Sequence, residues 1–288
     1  MNDSDTNSVG FGDHNYESIS EHCYSPEDDF EPTMHVGREV LPIAIRHGME
    51  LWWDESTPTK RLDDREGSSK FTRFVNGRIE GKLAEVAFSR FLETYFGVES
   101  EVDWRIYGDY EITDKGDLQH LLDEDGNEVP LGVDVDLKKT KPWNSWLAIR
   151  DEIFQHIDKD APVVLTKLRI EDDIQMDKWE NTDNWDAVDE DQEFRNRLLT
   201  FADDMFPLEV EFVGTAYPDE FNESFDKGDR LYDPVTGKDI GPPLKRDNEG
   251  IFVQNLNARA IRWNRIVSEL TEFMPNDSWR PLPIIDKD

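Results

Sequence analysis

Apolar residues recur at helical spacing in three stretches of this 288-residue chain. Val40, Ile43, Ala44, Met49 and Trp52 predict a helix from Arg38 to Trp53. Leu83, Val86, Ala87, Phe91, Leu92 and Phe96 form the clearest stripe, over Gly81–Gly97, and Gly97 suits the C-terminal cap. The third helix is expected over Asn257–Glu272. Shorter β-branched and aromatic runs predict strands at Trp104–Tyr107, Asp117–Leu122, Gly132–Thr140, Val163–Ile170 and Val210–Tyr217. Helices mixed with strands place the chain in the α/β class. Polar stretches at 56–76 and 218–250 read as connections, and no repeat is visible.

Composition divides the chain further. Residues 1–35 hold nine acids and no Lys or Arg, which predicts a disordered acidic tail. Residues 36–288 then form one domain carrying an acidic insertion, 171–205. Its first part, 171–193, has eleven acids against Lys178 alone and is expected on the solvent side. The whole chain carries a formal charge of −33, from 65 acidic and 32 basic residues. Disordered chains with such charge are poor in aromatics, yet here there are 9 Trp, 16 Phe and 7 Tyr. A folded protein adapted to molar salt reconciles the two, because the Debye length there falls to about 3 Å and self-repulsion weakens. Cys23 is the sole cysteine, which excludes an internal disulfide and a cysteine zinc site. No signal-peptide pattern and no apolar run of membrane length is present, so a cytoplasmic location without membrane contact is expected.

Three acids and a lysine carry the candidate chemistry. Glu85 lies mid-helix, Asp117 follows Gly116 at a strand start, and Val133-Asp-Val-Asp-Leu-Lys-Lys-Thr140 alternates. Alternation puts Asp134, Asp136 and Lys138 on one strand face, with Lys139 opposite. Charges on a core strand are costly unless they meet a metal, a partner or water. Taken singly, each has an ordinary reading: an exposed helix acid, a turn acid after glycine, an edge-strand charge set.

Taken together, Gly81-Lys-Leu-Ala-Glu85, Gly116-Asp117 and Asp136-Leu-Lys138 resemble the PD-(D/E)XK, restriction-endonuclease-like nuclease superfamily. Glu85 and Asp117 are 32 residues apart, Asp117 and Asp136 are 19 apart, and no Pro precedes Asp117. The similarity covers about residues 75–217. It implies a central mixed β-sheet flanked by helices and a Mg²⁺-dependent deoxyribonuclease, with Mn²⁺ as a possible substitute. Glu85, Asp117 and Asp136 would be the metal ligands, with Lys138 positioning the attacking water. DNA is the implied partner, in restriction or repair, and a homodimer is a common arrangement in such enzymes.

Phosphate binding in so acidic a chain needs local basic islands. Lys82, Lys139, Lys141 and the row Arg259, Arg262, Arg265 are the candidates. Trp143 and Trp146, just beyond Lys141, suit either base stacking or anchoring of a following helix. Two other readings explain parts of the pattern: a catalytically silent member of the same fold that binds DNA or a partner, and an acidic DNA mimic. No P-loop, nucleophile elbow or dinucleotide fingerprint is present.

Overall fold

The computed structural model describes residues 23–54, 70–106, 117–170, 174–182, 184–275 and 278–285. In chain order the elements are β1 (Thr33–Val36), α1 (Val40–Trp53), α2 (Lys70–Phe96), β2 (Glu99–Val102), β3 (Leu118–Leu122), β4 (Glu128–Val129), β5 (Asp136–Thr140), β6 (Trp146–Arg150), α3 (Asp151–Phe154) and β7 (Val163–Leu168). They continue with α4 (Trp185–Asp189), α5 (Gln192–Met205), β8 (Leu208–Ala216), β9 (Glu223–Phe225), β10 (Leu231–Tyr232), β11 (Asp239–Ile240), β12 (Asn248–Phe252) and α6 (Ala260–Leu270).

The architecture is mixed α/β. Its main sheet has the order β1-β8-β7-β5, with β5 and β7 parallel and the other pairs antiparallel. Smaller sheets β6-β12-β9 and β2-β3-β4 and the hairpin β10-β11 complete it. Alternation along β7 separates two cores. Val164 faces the helices, where Phe91 of α2 stacks on Phe212 of β8 at 4.7 Å and meets Trp263 of α6 at 4.9 Å. Val163 and Leu165 face the other way, onto Leu147 and Ile251 of the β6-β12-β9 sheet. Helices therefore cover one face of the main sheet and a second sheet covers the other.

Local sequence explains the long helix that positions the site. α2 runs 27 residues, and a buried stripe from Phe71 to Phe96 keeps it on the core. Its end is set by Gly97 at φ 68°, where Gly97 N and Val98 N satisfy the carbonyls of Glu93 and Leu92. Gly132 is needed for a different reason. A Cβ there would stand 2.1 Å from the Glu269 carbonyl, because the loop entering β5 crosses the end of α6.

Several expectations change. The acidic tail does not extend to residue 35: Phe30 and Met34 are buried and β1 pairs with β8. Residues 1–22 lie outside the described residues. Residues 70–76, expected as connection, are helical and largely buried, because Phe71, Phe74 and Val75 continue the stripe of α2. The strand expected at 104–107 lies earlier, at Glu99–Val102, and Tyr107 is outside the described residues. β5 begins only at Asp136, so Asp134 precedes the regular strand and is exposed. Trp146 opens a strand rather than a helix. The insertion is only partly external. Ile174, Met176, Val188, Phe194 and Ala202 join the main core, and buried Asn76 bonds both the carbonyl and the amide of Ile174.

Candidate active site

Glu85 sits on α2 with 7% of its surface exposed. Lys82, one turn earlier, donates to Glu85 Oε2 at 2.6 Å and also to the Asp103 carbonyl. Burial, followed by the charge of Asp117, pushes the Glu85 carboxyl up to about 8, although Lys82 and Arg78 oppose the rise. A shift from 4.5 to that value is on the order of 5 kcal/mol of preference for the neutral acid. Arg78 is itself lowered by burial and sustained by Glu85 and Asp117.

Asp117 docks on the open edge of β5. Its amide donates to the Val135 carbonyl at 3.4 Å, and its Oδ2 accepts the Leu137 amide at 2.5 Å. Burial and then Asp136 raise its carboxyl to about 6, against Lys138 and the Leu137 amide, which lower it. Asp136 opens β5, bonded through its amide to the Pro162 carbonyl at 3.0 Å. Lys138 Nζ donates to Asp136 Oδ1, while Asp136 Oδ2 is buried without a hydrogen-bond partner.

Register shows how these groups are arranged. Asp136 and Lys138 pair with Val163 and Leu165, so they leave β5 on the side of the β6-β12-β9 sheet. Glu85 comes from the opposite, helical side. Asp117 lies at the edge between them and interacts electrostatically with both. Among the described residues, no three His, Cys, Asp or Glu side chains stand together as a ready-made metal cage. Two of the three carboxylates are held by lysines instead. The donor chemistry nevertheless fits a hard divalent cation. The set is all oxygen, Asp136 Oδ2 is orphaned, and the Leu137 carbonyl points to the same open edge as its amide.

The expected phosphate contacts fare differently. Lys82 is buried against Glu85 and does not face solvent as a phosphate ligand. Lys139 and Lys141 both bond Glu80 of α2, and Lys141 also bonds the Ile170 carbonyl at 3.0 Å. The arginine row is matched to acids as well: Arg259 to Glu27, Arg262 to Glu220, Arg265 to Glu269. Arg262 is 8% exposed, stacked 4.6 Å from the Tyr217 ring centre, beside a cavity of about 620 Å³. Arg262 therefore leaves the exposed face that the three-residue spacing suggests, while Arg259 and Arg265 stay exposed but ion-paired.

Two further groups join the site, Arg78 from the basic run 60–82 and His47, which no motif marks. Arg78 adds a half-buried cation beside Glu85 and Asp117. His47, on the buried face of α1, packs edge-on to Trp104 at 5.8 Å, and Lys82 lies 5.5 Å from the same ring. Burial and then Lys82 lower the His47 imidazole to about 4, so it is neutral at ordinary pH. The available signal was a histidine between Ala44 and Leu51 on an otherwise apolar helix face.

No protein-family model, curated protein or solved structure matches the chain.

Proposed function

We propose that the protein is a metal-dependent DNA endonuclease with a restriction-endonuclease-like fold, working in concentrated salt. The observation that carries this reading is Asp117 anchored on the edge of β5 by the Leu137 amide, beside Asp136 and Lys138 and in electrostatic contact with Glu85. Asp117, Asp136 through Oδ2, the Leu137 carbonyl and Glu85 are the groups to hold Mg²⁺ or Mn²⁺. Bound there, the ion would polarise the scissile phosphate and acidify a water. The protein's own part is positional and electrostatic. Lys138 exchanges its bond to Asp136 for one to the attacking water or phosphate, and its charge offsets that of the pentacoordinate phosphorus. Arg78 and Lys82 offset the charge Glu85 acquires when it loses its proton. A homodimer would supply the second site needed to cut both strands.

The test uses supercoiled and linear DNA in molar KCl, with and without Mg²⁺. Nicked and linear products should form only with the metal. Intact DNA at every Mg²⁺ concentration, with the protein folded by circular dichroism, would overturn the reading.

A second reading is favoured by one observation. Lys82, Lys139, Lys141 and Arg262 are all engaged by acids of the chain itself. A silent relative of the nuclease fold, acting by docking on a partner, would show that pattern. DNA or partner binding without cleavage is its signature.

A further inference from the structure

Of the nine tryptophans, Trp143 alone is exposed; the other eight are buried or half-buried. Its relative exposure is 67%, against 5% for Trp146 three residues on. A single exposed aromatic is ordinary by itself. The surroundings of Trp143 are what distinguish it. It occupies a turn that directly extends β5, the strand carrying Asp136 and Lys138. That turn is fastened: Asn144 N donates to the Lys141 carbonyl at 3.0 Å and Asn144 Nδ2 donates to Thr140 Oγ1 at 2.6 Å. The indole is therefore presented from a held backbone. From Leu137 to Arg150 the chain has four basic residues and no acid, although 65 of its 288 residues are acidic. Elsewhere in the described structure only Phe273 among the aromatic rings is comparably exposed, and the others are buried or half-buried.

We propose that Trp143 is a stacking platform for an unpaired nucleobase of the bound strand. This inference rests on the nucleic-acid reading above and extends it to a specific contact. A π-face is indifferent to base identity and loses little in concentrated salt, where the counterion-release part of DNA affinity is suppressed. An acidic protein whose candidate phosphate contacts Lys82, Lys139, Lys141, Arg259, Arg262 and Arg265 are engaged by its own acids gains from a non-ionic contact of this kind. Position also fits a single-strand path. β5 advances about 3.3 Å per residue, so Thr140 stands about 13 Å beyond Asp136. At about 3.4 Å per stacked nucleotide, Trp143 meets a base roughly four or more nucleotides from the scissile phosphate.

The experiment measures binding of fluorescein-labelled dT12, and of an abasic strand of equal length, by anisotropy in metal-free molar KCl. Wild type, Trp143→Ala and Trp143→Phe are compared, with plasmid cleavage in Mg²⁺ followed separately. Trp143→Ala should weaken dT12 binding about 5- to 100-fold and Trp143→Phe much less, as expected for loss of one base–aromatic stack. The abasic strand should bind wild type and Trp143→Ala equally weakly. Equal dT12 affinity for wild type and Trp143→Ala would overturn the platform, as would an abasic strand bound as tightly as dT12. The readouts are separable. Cleavage with no Trp143 effect on dT12 sinks the platform and leaves the nuclease. The base-dependent loss without cleavage by any variant supports the platform and removes the nuclease.

Discussion

Along α6, Arg259 meets Glu27, Arg262 meets Glu220 and Arg265 meets Glu269, so each cation is neutralised by one acid. At the edge of β5, Arg78, Lys82 and Lys138 accompany Glu85, Asp117 and Asp136, again three against three. The count is equal, but the outcome is not. Arg265 and its acid partner keep solvent contact, and the Arg265 guanidinium is held slightly more basic by its hydrogen bond to Glu269. At β5 burial dominates, and two carboxyls are driven up to about 8 and about 6 despite the nearby cations. Pairing in partial solvent produces a structural ladder. Pairing under desolvation leaves acids that still lack a sufficient counter-charge, which is what a divalent cation supplies.

The sharpest way to break this comparison is at β5. Asp136→Ala and Lys138→Ala should each lower Mg²⁺-dependent cleavage by about 10³-fold while leaving the fold intact by circular dichroism. Lys139→Ala is the control, since its side chain leaves the other strand face and bonds Glu80, which Lys141 also holds. It should change the rate by less than about threefold. Equal losses at positions 138 and 139 would show that only bulk charge matters there.

On α6 the effect should fall on stability instead. Arg262→Ala removes a buried cation, leaves Glu220 with only the Tyr217 amide and strips the nearer of two guanidinium groups from the Tyr217 ring. With Glu220 partly exposed, the cost is about 2–3 kcal/mol, or a fall of about 3–6 °C in melting temperature. Cleavage per folded molecule should stay within a few-fold of wild type. A thousandfold loss would move Arg262 into the active site.

A pH series separates desolvated acid from paired acid. The Glu85 carboxyl is raised on folding, so its contribution to stability is complete below about pH 4.5 and is lost as pH rises through about 8. Glu85→Gln keeps a neutral side chain throughout. Its metal-free melting temperature should match wild type near pH 4.5 and exceed it by several degrees at pH 9. A constant difference across that range would mean that Glu85 is not held neutral by the fold. The smallest effect belongs to Arg259→Ala, where both members of the pair are well exposed. It should cost under about 1 kcal/mol and move the melting temperature by no more than a degree or two at molar salt.

The helices were legible because their apolar stripes are local: Leu83 to Phe96 specify a buried face wherever the helix ends up. Gly97 likewise marked the C-terminus of α2 from its own conformational freedom. Asp136 and Lys138 sharing a face follows from strand alternation alone, as does Lys139 facing away. The strand's start was misplaced at Gly132, because a loop crossing the end of α6 uses the same alternating residues as a strand. That Asp117 lands on β5, 20 residues away, depends on an edge bond to Leu137 that no local pattern encodes. The partners of Lys139, Lys141 and Arg262 were also beyond reach. A basic residue in sequence is a free charge until folding decides which acid lies within 3 Å of it. Glu85–Lys82 and Arg265–Glu269 lie within a helical turn, whereas Glu80 meets Lys139 from 59 residues away and Glu220 meets Arg262 from 42. Local periodicity thus determined which faces are buried and which residues could act together. Chain packing decided which charges are desolvated, because burial and long-range pairing are properties of the assembled core.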